Sequence, residues 1–153
     1  MTLTSDAATE PSAIFSADGI YRYTLLRRWL FGKGRCLFVM LNPSTADAIS
    51  DDATIRRCIS FSKRWEFQEL VVTNIFAFRA TDPAVMKAHP SPIGPENDAY
   101  ILDAVGKADR IVAAWGVHGS HMDRGMQVLE MLKRKDVRVL GTTKNGMPRH
   151  PLI

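Results

Sequence analysis

The sequence predicts an α/β fold: a three-layer α/β/α sandwich around a mostly parallel four-stranded core sheet, preceded by a β-hairpin. Three observations carry this. Cys36–Leu41 is an apolar run of strand length bounded by chain breakers, and Leu70–Phe76 reads as a second buried strand. Segments with apolar residues at helical spacing lie between those runs. The alternation of the two implies right-handed β-α-β units and a parallel sheet.

Residues 1–12 are polar and read as a frayed tail, leaving residues 13–153 as one α/β domain. Ile14–Trp29 reads as two short strands turning at Ala17-Asp18-Gly19, because Asp-Gly accepts a tight hairpin turn. Tyr21, Tyr23 and Leu25 alternate with Arg22 and Thr24, the pattern of a half-buried strand. Gly32-Lys33-Gly34 interrupts the chain before the first core strand, and Pro43 ends that strand. A helix is expected to start near Ser50-Asp51, either of which can cap it. Ile55, Cys58, Ile59 and Trp65 then face inward. Leu70–Phe76 is the second core strand, followed by a proline-rich loop that includes the rigid stretch His89-Pro90-Ser91-Pro92. Pro95 suits the first turn of a helix that turns Ile101, Ala104 and Val105 inward. Arg110–Trp115 is the third strand, and Val137–Leu140 a short fourth. Met122, Met126, Leu129 and Leu132 mark the helix between them. Gly141–Ile153 reads as loop.

The 153 residues are 46% hydrophobic and 24% charged, a globular composition. The two cysteines, Cys36 and Cys58, sit in apolar surroundings and read as reduced core thiols. With neither a secretory signal nor a run long enough to span a bilayer, a cytoplasmic protein with no membrane partner is expected. A formal net charge of +4 is compatible with a nucleotide or nucleic-acid partner and equally with a solvated basic surface. The sequence holds no P-loop, no GxGxxG, no nucleophile elbow and no Cys/His zinc pattern. Neither a cofactor nor a metal is therefore expected, and His118 with His121 has only a weak ligand spacing.

In open parallel sheets, ligands bind beyond the carboxyl ends of the strands. Here those ends are all polar. The first carries Asn42, Ser44, Thr45 and Asp47. The second carries Asn74 and Arg79. The third carries Trp115 and His118, and the fourth Arg149 and His150. Asn42 can hold a water or a base edge, or can stabilise its own turn before Pro43. Asp47 and Asp52 can serve as general base, or can cap and turn the chain. Arg57, near a helix start, and Arg79, in a loop, can clamp an anion. Arg56 reads as a solvated helix position. Trp115 can stack on a nucleobase or belong to the core. His150 can polarise a leaving group or pack the chain end. Catalytic expectations thus fall on Asn42, Asp47, Asp52 and His150. Ligand-binding expectations fall on Ser44, Thr45, Arg57, Asn74, Arg79, Trp115, His118 and Arg149.

Several blocks, in one order from about Ile14 to the end, are recognisable together. They include Tyr21-Arg22-Tyr23, Leu41-Asn42-Pro43-Ser44-Thr45-Ala46-Asp47, Asp51–Arg57, Gly94–Asp98, Ala114-Trp115-Gly116 and Pro148–Leu152. The chain resembles the bacterial and phage family called domain of unknown function 1643, a name that carries no activity. The order of elements also resembles the uracil-DNA glycosylase superfamily. That resemblance implies that Asn42 positions an attacking water and that Pro148-Arg149-His150-Pro151 occupies the place of the last motif. Ser44 stands where that pattern has glycine, and the Asp-Pro-Tyr triplet and Ser-rich wedge loop are missing. The expected function is an enzyme acting on a nucleobase, nucleotide or nucleic acid. The alternative is a non-catalytic nucleotide or nucleic-acid binding module on the same fold.

Overall fold

The computed structural model describes residues 11–152. In chain order it contains β1 (Ser12–Phe15), β2 (Arg22–Arg28), β3 (Arg35–Met40), α1 (Ala53–Arg64), β4 (Glu69–Asn74) and α2 (Pro83–Ala88). There follow α3 (Asn97–Lys107), β5 (Arg110–Ala113), a 3-10 segment (Val117–Asp123), α4 (Arg124–Met131) and β6 (Val137–Val139). The expected tail falls mostly outside the described residues, and its last residue, Ser12, already begins β1.

The fold is mixed α/β, built on one six-stranded sheet of order β1-β2-β4-β3-β5-β6. The pairs β3–β4, β3–β5 and β5–β6 are parallel. The hairpin strands belong to this sheet, because β2 pairs antiparallel with β4 through Leu25↔Val72 and Leu26↔Val71. Side chains alternate across β3. Cys36, Phe38 and Met40 join a core cluster with Ile55 and Cys58 of α1. Leu37, Val39 and Leu41 join a second cluster with Ile101 and Val105 of α3 and Val128 of α4. A helix-bearing core therefore packs on each face of the sheet. No helix among the described residues is long and apolar enough to cross a membrane.

The chain leaves β3 for β4 on one side and then returns past β3 to β5 on the other. The carboxyl ends of β3 and β5 thus flank the topological switch point, where the connecting loops diverge and leave a crevice. The loop after β3 forms one wall of it. Two arginines of β2 hold that loop. Arg27 donates from Nη2 to the carbonyls of Asp47 at 2.6 Å and Ser50 at 3.1 Å, and from Nη1 to Ala48 at 3.0 Å. Its Nε meets the Asp51 carboxylate at 2.8 Å. Arg22 donates to the Ala46 carbonyl at 3.1 Å.

Several sequence expectations need correction. Arg22 is 2% exposed, not on a solvent face. The register between β1 and β2 slips at Tyr23, where Phe15 pairs with Arg22 and Ile14 with Thr24. That bulge breaks the alternation and turns Arg22 under the loop beside Arg27. The cap of α1 is Asp52, whose Oδ1 accepts from Ile55 N at 2.9 Å, while Asp51 is engaged by Arg27. The proline-rich loop contains the short helix α2, capped by Asp82 with Pro83 in its first turn. Met122 and Met126 are 56% and 54% exposed. Met122 has φ 56° in the 3-10 segment, so α4 starts only at Arg124 and turns Gly125 and Val128 inward instead.

Arg27 is held on four main-chain and carboxylate oxygens of the loop, and it is 6% exposed. Replacing Arg27 by Met keeps the stem and removes the donors that hold the Asp51 carboxylate and the carbonyls of Asp47, Ala48 and Ser50. Urea unfolding is expected to show a loss of ~3–5 kcal/mol, with faster amide exchange across Asp47–Asp51. An unchanged midpoint would show that the loop is held by other means.

Candidate functional site

The crevice at the switch point is a cavity of about 510 Å³, within the range of small-molecule sites. It brings together residues from five segments. The loop after β3 supplies Leu41, Asn42, Ser44 and Thr45, and the start of α1 supplies Asp52, Ala53 and Thr54. The β4–α2 loop supplies Ala80, Thr81 and Pro83. The β5 tip supplies Trp115 to His118, and the chain end supplies His150 and Leu152.

Asn42 is fixed by its amide group. Nδ2 donates to the carbonyls of Ala80 at 2.8 Å and Pro43 at 3.2 Å, which ties the β4–α2 loop to the β3 tip. Only the NH2 end can satisfy carbonyls, so the orientation is chemically determined. Oδ1 then accepts no hydrogen bond among the described residues. Asp52 likewise has one oxygen engaged, on Ile55 N, and the other ungrouped. Ser44 Oγ donates to Thr81 Oγ1 at 3.1 Å across the same gap.

His150 Nδ1 accepts from Leu152 N at 3.2 Å, so the neutral ring carries its proton on Nε2. Burial pushes its pKa below the ordinary imidazole value, with the Asp52 carboxylate opposing. His118 is lowered too, first by desolvation and then by Lys87, against Asp82. Both rings are therefore neutral at pH 7. Gly116 lets the β5 tip approach the chain end. Its φ is 77°, its N donates to Pro148 O at 2.7 Å, and a Cβ there would lie 3.3 Å from His150 Cβ. Among the lining residues there is no Lys or Arg, and Asp52 is the one formal charge at neutral pH.

Other expected residues lie elsewhere. Asp47 does not line the cavity; its Oδ1 accepts from Ile49 N and Ser50 N, closing the turn that Arg27 also grips. Those amides hold its carboxyl below the usual range. Asn74 is 1% exposed and sealed inside, with its carbonyl taking Asn97 Nδ2 at 2.8 Å. Arg79 turns to the hairpin, stacking on Phe15 at 4.7 Å and donating to Gly19 O at 3.1 Å. Arg149 is exposed beside Gly141, outside the lining. Arg57 lies on the outer side of α1, its Nε 3.4 Å from Pro151 O.

Trp115 contributes to the floor but is not a stacking platform. It is 1% exposed, and its pyrrole edge lies so close to Gly119 and Gly125 that a Cβ on either would collide with it. The indole is core, held by two glycines. His121 departs from His118 and lies beside Phe76, with ring centroids 5.6 Å apart. Among the described residues, no three His, Cys, Asp or Glu side chains are grouped to hold a metal ion. His89 stacks on Phe78 at 4.0 Å and accepts from Ser91 N, a structural use of the His-Pro-Ser-Pro stretch.

Sequence reasoning missed Arg22, Arg27, Thr54 and Pro83. The first two lay in a strand read as half-solvated. Their signal is two arginines in a strand preceding a long polar loop. Asp82-Pro83 was legible as a cap followed by a first-turn proline.

No curated protein and no solved structure matches the chain. One family does, over residues 22–152, a stretch that includes both arginines of β2, the loop after β3, the β5 tip and His150. The residues that build the cavity therefore lie inside the matched region, and the chain belongs to the family described as protein of unknown function (DUF1643).

Proposed function

We propose that the cavity takes a nucleobase, as part of a nucleotide or nucleic acid, and that the protein hydrolyses the bond to that base. The fold in this reading is a three-layer α/β/α sandwich of the uracil-DNA glycosylase kind. The observation that carries it is the donor and acceptor set at the switch point. An amide oxygen (Asn42), a carboxylate (Asp52) and a neutral imidazole N–H (His150) line one cavity without any cation. A planar, uncharged ligand with its own donors and acceptors fits that set, whereas a phosphate has no counter-charge there.

The step follows from these groups. Water held by Asn42 Oδ1 attacks the anomeric carbon. The free oxygen of Asp52 takes the water proton. The C–N bond breaks, the base leaves with the electron pair, and His150 Nε2–H hydrogen-bonds the departing base. Asp52→Asn isolates the chemistry, because asparagine caps a helix as well as aspartate does. Base release from uracil- and hypoxanthine-containing oligonucleotides is expected to fall by roughly 10²–10⁴ in this variant, with native helix content retained by circular dichroism. Release that is equal in both proteins, or absent from every substrate, would remove the hydrolytic reading.

A binding module is the second reading, and one observation favours it. Asn42 Nδ2 and one Asp52 oxygen are already used by the fold. In that case, base binding persists in the Asp52→Asn protein and no base is released by either form.

The neutral imidazoles also set a pH dependence. An unfolded histidine gains its proton near pH 6.5, while His118 and His150 gain theirs at lower pH in the fold. Below 6.5 the unfolded chain binds more protons, so stability falls as pH drops. Urea midpoints are expected to be level from pH 8 to 7 and to decline below about 6.5. His150→Gln should make that decline shallower. A midpoint that rises on acidification would contradict neutral, desolvated rings.

A further inference from the structure

We infer that the outer face of α1 is a docking surface for a single strand of nucleic acid. The helix has four cations, Arg56, Arg57, Lys63 and Arg64, and no acidic residue. All four are exposed, and with Ser60 they recur at the spacing of a single helical stripe, opposite the buried Ile55 and Cys58. None of the four forms an ion pair among the described residues, although cations elsewhere in the chain do.

A second observation separates this stripe from an ordinary solvated face. Three of its four cations are held over aromatic rings, while Arg56 donates to the Asp51 carbonyl at 3.1 Å. Arg57 lies 4.8 Å from the Phe61 ring and Arg64 5.7 Å from it, while Lys63 lies 5.4 Å from Trp29. Arg110, at the start of β5, extends the row over Trp65 and Phe67. Phe61 and Trp65 are themselves stacked at 5.3 Å. Stacking fixes the guanidinium planes, which reduces the entropy lost when they meet phosphates and leaves flat faces for bases. At the Lys63 end, Phe31 is 80% exposed and lines a shallow cavity of about 340 Å³ with Trp29, Lys63 and Glu66. The row thus combines cations that track a backbone with an open aromatic ring, the pairing that single-strand binders use.

Position supports the same occupant. Ala53 and Thr54, at the N-terminal end of α1, line the cation-free cavity. Phosphates lie outside on α1, where the counter-charge is, and an unpaired base can enter the cavity. The stripe on α1 carries no apolar side chain, but Leu30 and Phe31 at its Lys63 end are each 80% exposed, so a bilayer is the competing occupant that the vesicle arm of the test separates.

The test compares two charge-matched variants by fluorescence anisotropy with a labelled oligodeoxythymidylate. One is Arg56→Gln/Arg57→Gln/Lys63→Gln/Arg64→Gln. The other, Lys133→Gln/Arg134→Gln/Lys135→Gln/Arg138→Gln, removes four exposed cations around α4 and β6. Each brings the formal net charge from +4 to zero. The α1 variant is expected to bind at least about tenfold more weakly, with a plot of log affinity against log salt shallower by about 3. The second variant should bind like the parent protein. Equal weakening in both would overturn the inference, as would tighter binding to polyglutamate or phosphatidylserine vesicles than to the oligonucleotide. Thymidylate binding is read without turnover, so failure to release bases bears on the cavity and not on this surface.

Discussion

The cavity depends on guanidinium groups reaching across the sheet from a strand that does not line it. Arg22 and Arg27 of β2 grip the carbonyls of Ala46, Asp47, Ala48 and Ser50. A polar loop of this length has few ways to satisfy its own carbonyls, and unsatisfied ones are costly where the loop closes on the core. Burial drives the Arg22 pKa down to about 10, with Asp52 opposing, yet the group stays charged at neutral pH. The antiparallel hairpin is thus more than an edge extension. Its bulge at Tyr23 supplies the change of phase that puts both arginines on the loop side. With the loop held, Asn42 bridges to Ala80 and Asp52 caps α1, and the wall of the cavity is complete.

Charge is partitioned in the same architecture. Cations that stabilise the fold are buried and bonded to carbonyl and side-chain oxygens, as Arg22, Arg27 and Arg124 are. Arg124 reaches Ile75 O, Gln127 and Asp98 from the start of α4. A row of cations without ion-pair partners among the described residues lies outside on α1. The cavity between them has neither, and desolvation lowers the pKa of its histidines, which keeps them neutral. Such a site selects against anions in its interior while a basic face next to it attracts them. This arrangement suits a ligand with a neutral head and a charged tail.

Much of the frame was legible in the sequence because it rests on local rules. The runs Cys36–Leu41 and Leu70–Phe76 have the length and continuity of strands covered on both faces, and they form β3, β4 and their extensions. Ile55, Cys58, Ile101, Ala104 and Val105 declare their helices by spacing alone. The switch-point argument drew attention to the tips of β3 and β5, and Asn42, Asp52, Trp115, His118 and His150 do meet there. What failed depended on tertiary context. Nothing local distinguishes Asp51 from Asp52 as a cap until Arg27 has claimed the former. Nothing local places Arg79 against Phe15, or says that a bulge will bury Arg22. Met122 and Met126 follow a helical period, but the left-handed turn at Met122 and Asp123 resets the phase before α4 begins.

Trp115 shows how a residue can stand at the site and still not serve it directly. A tryptophan at a strand tip reads equally as a platform or as core, and its surroundings decide. Two glycines, Gly119 and Gly125, approach its pyrrole edge where no Cβ would fit. The indole is thereby locked under the 3-10 segment, and its bulk supports Gly116. That glycine, in turn, holds Pro148 O and brings His150 to the cavity. The Ala-Trp-Gly block and the Pro-Arg-His-Pro block are therefore one structural unit, in which the tryptophan and glycine set the distance and the histidine lines the cavity. Arg149, next to His150 within the second block, is exposed outside the cavity. Coupling of this kind explains why neither block, read alone, tells which of its residues lines the cavity.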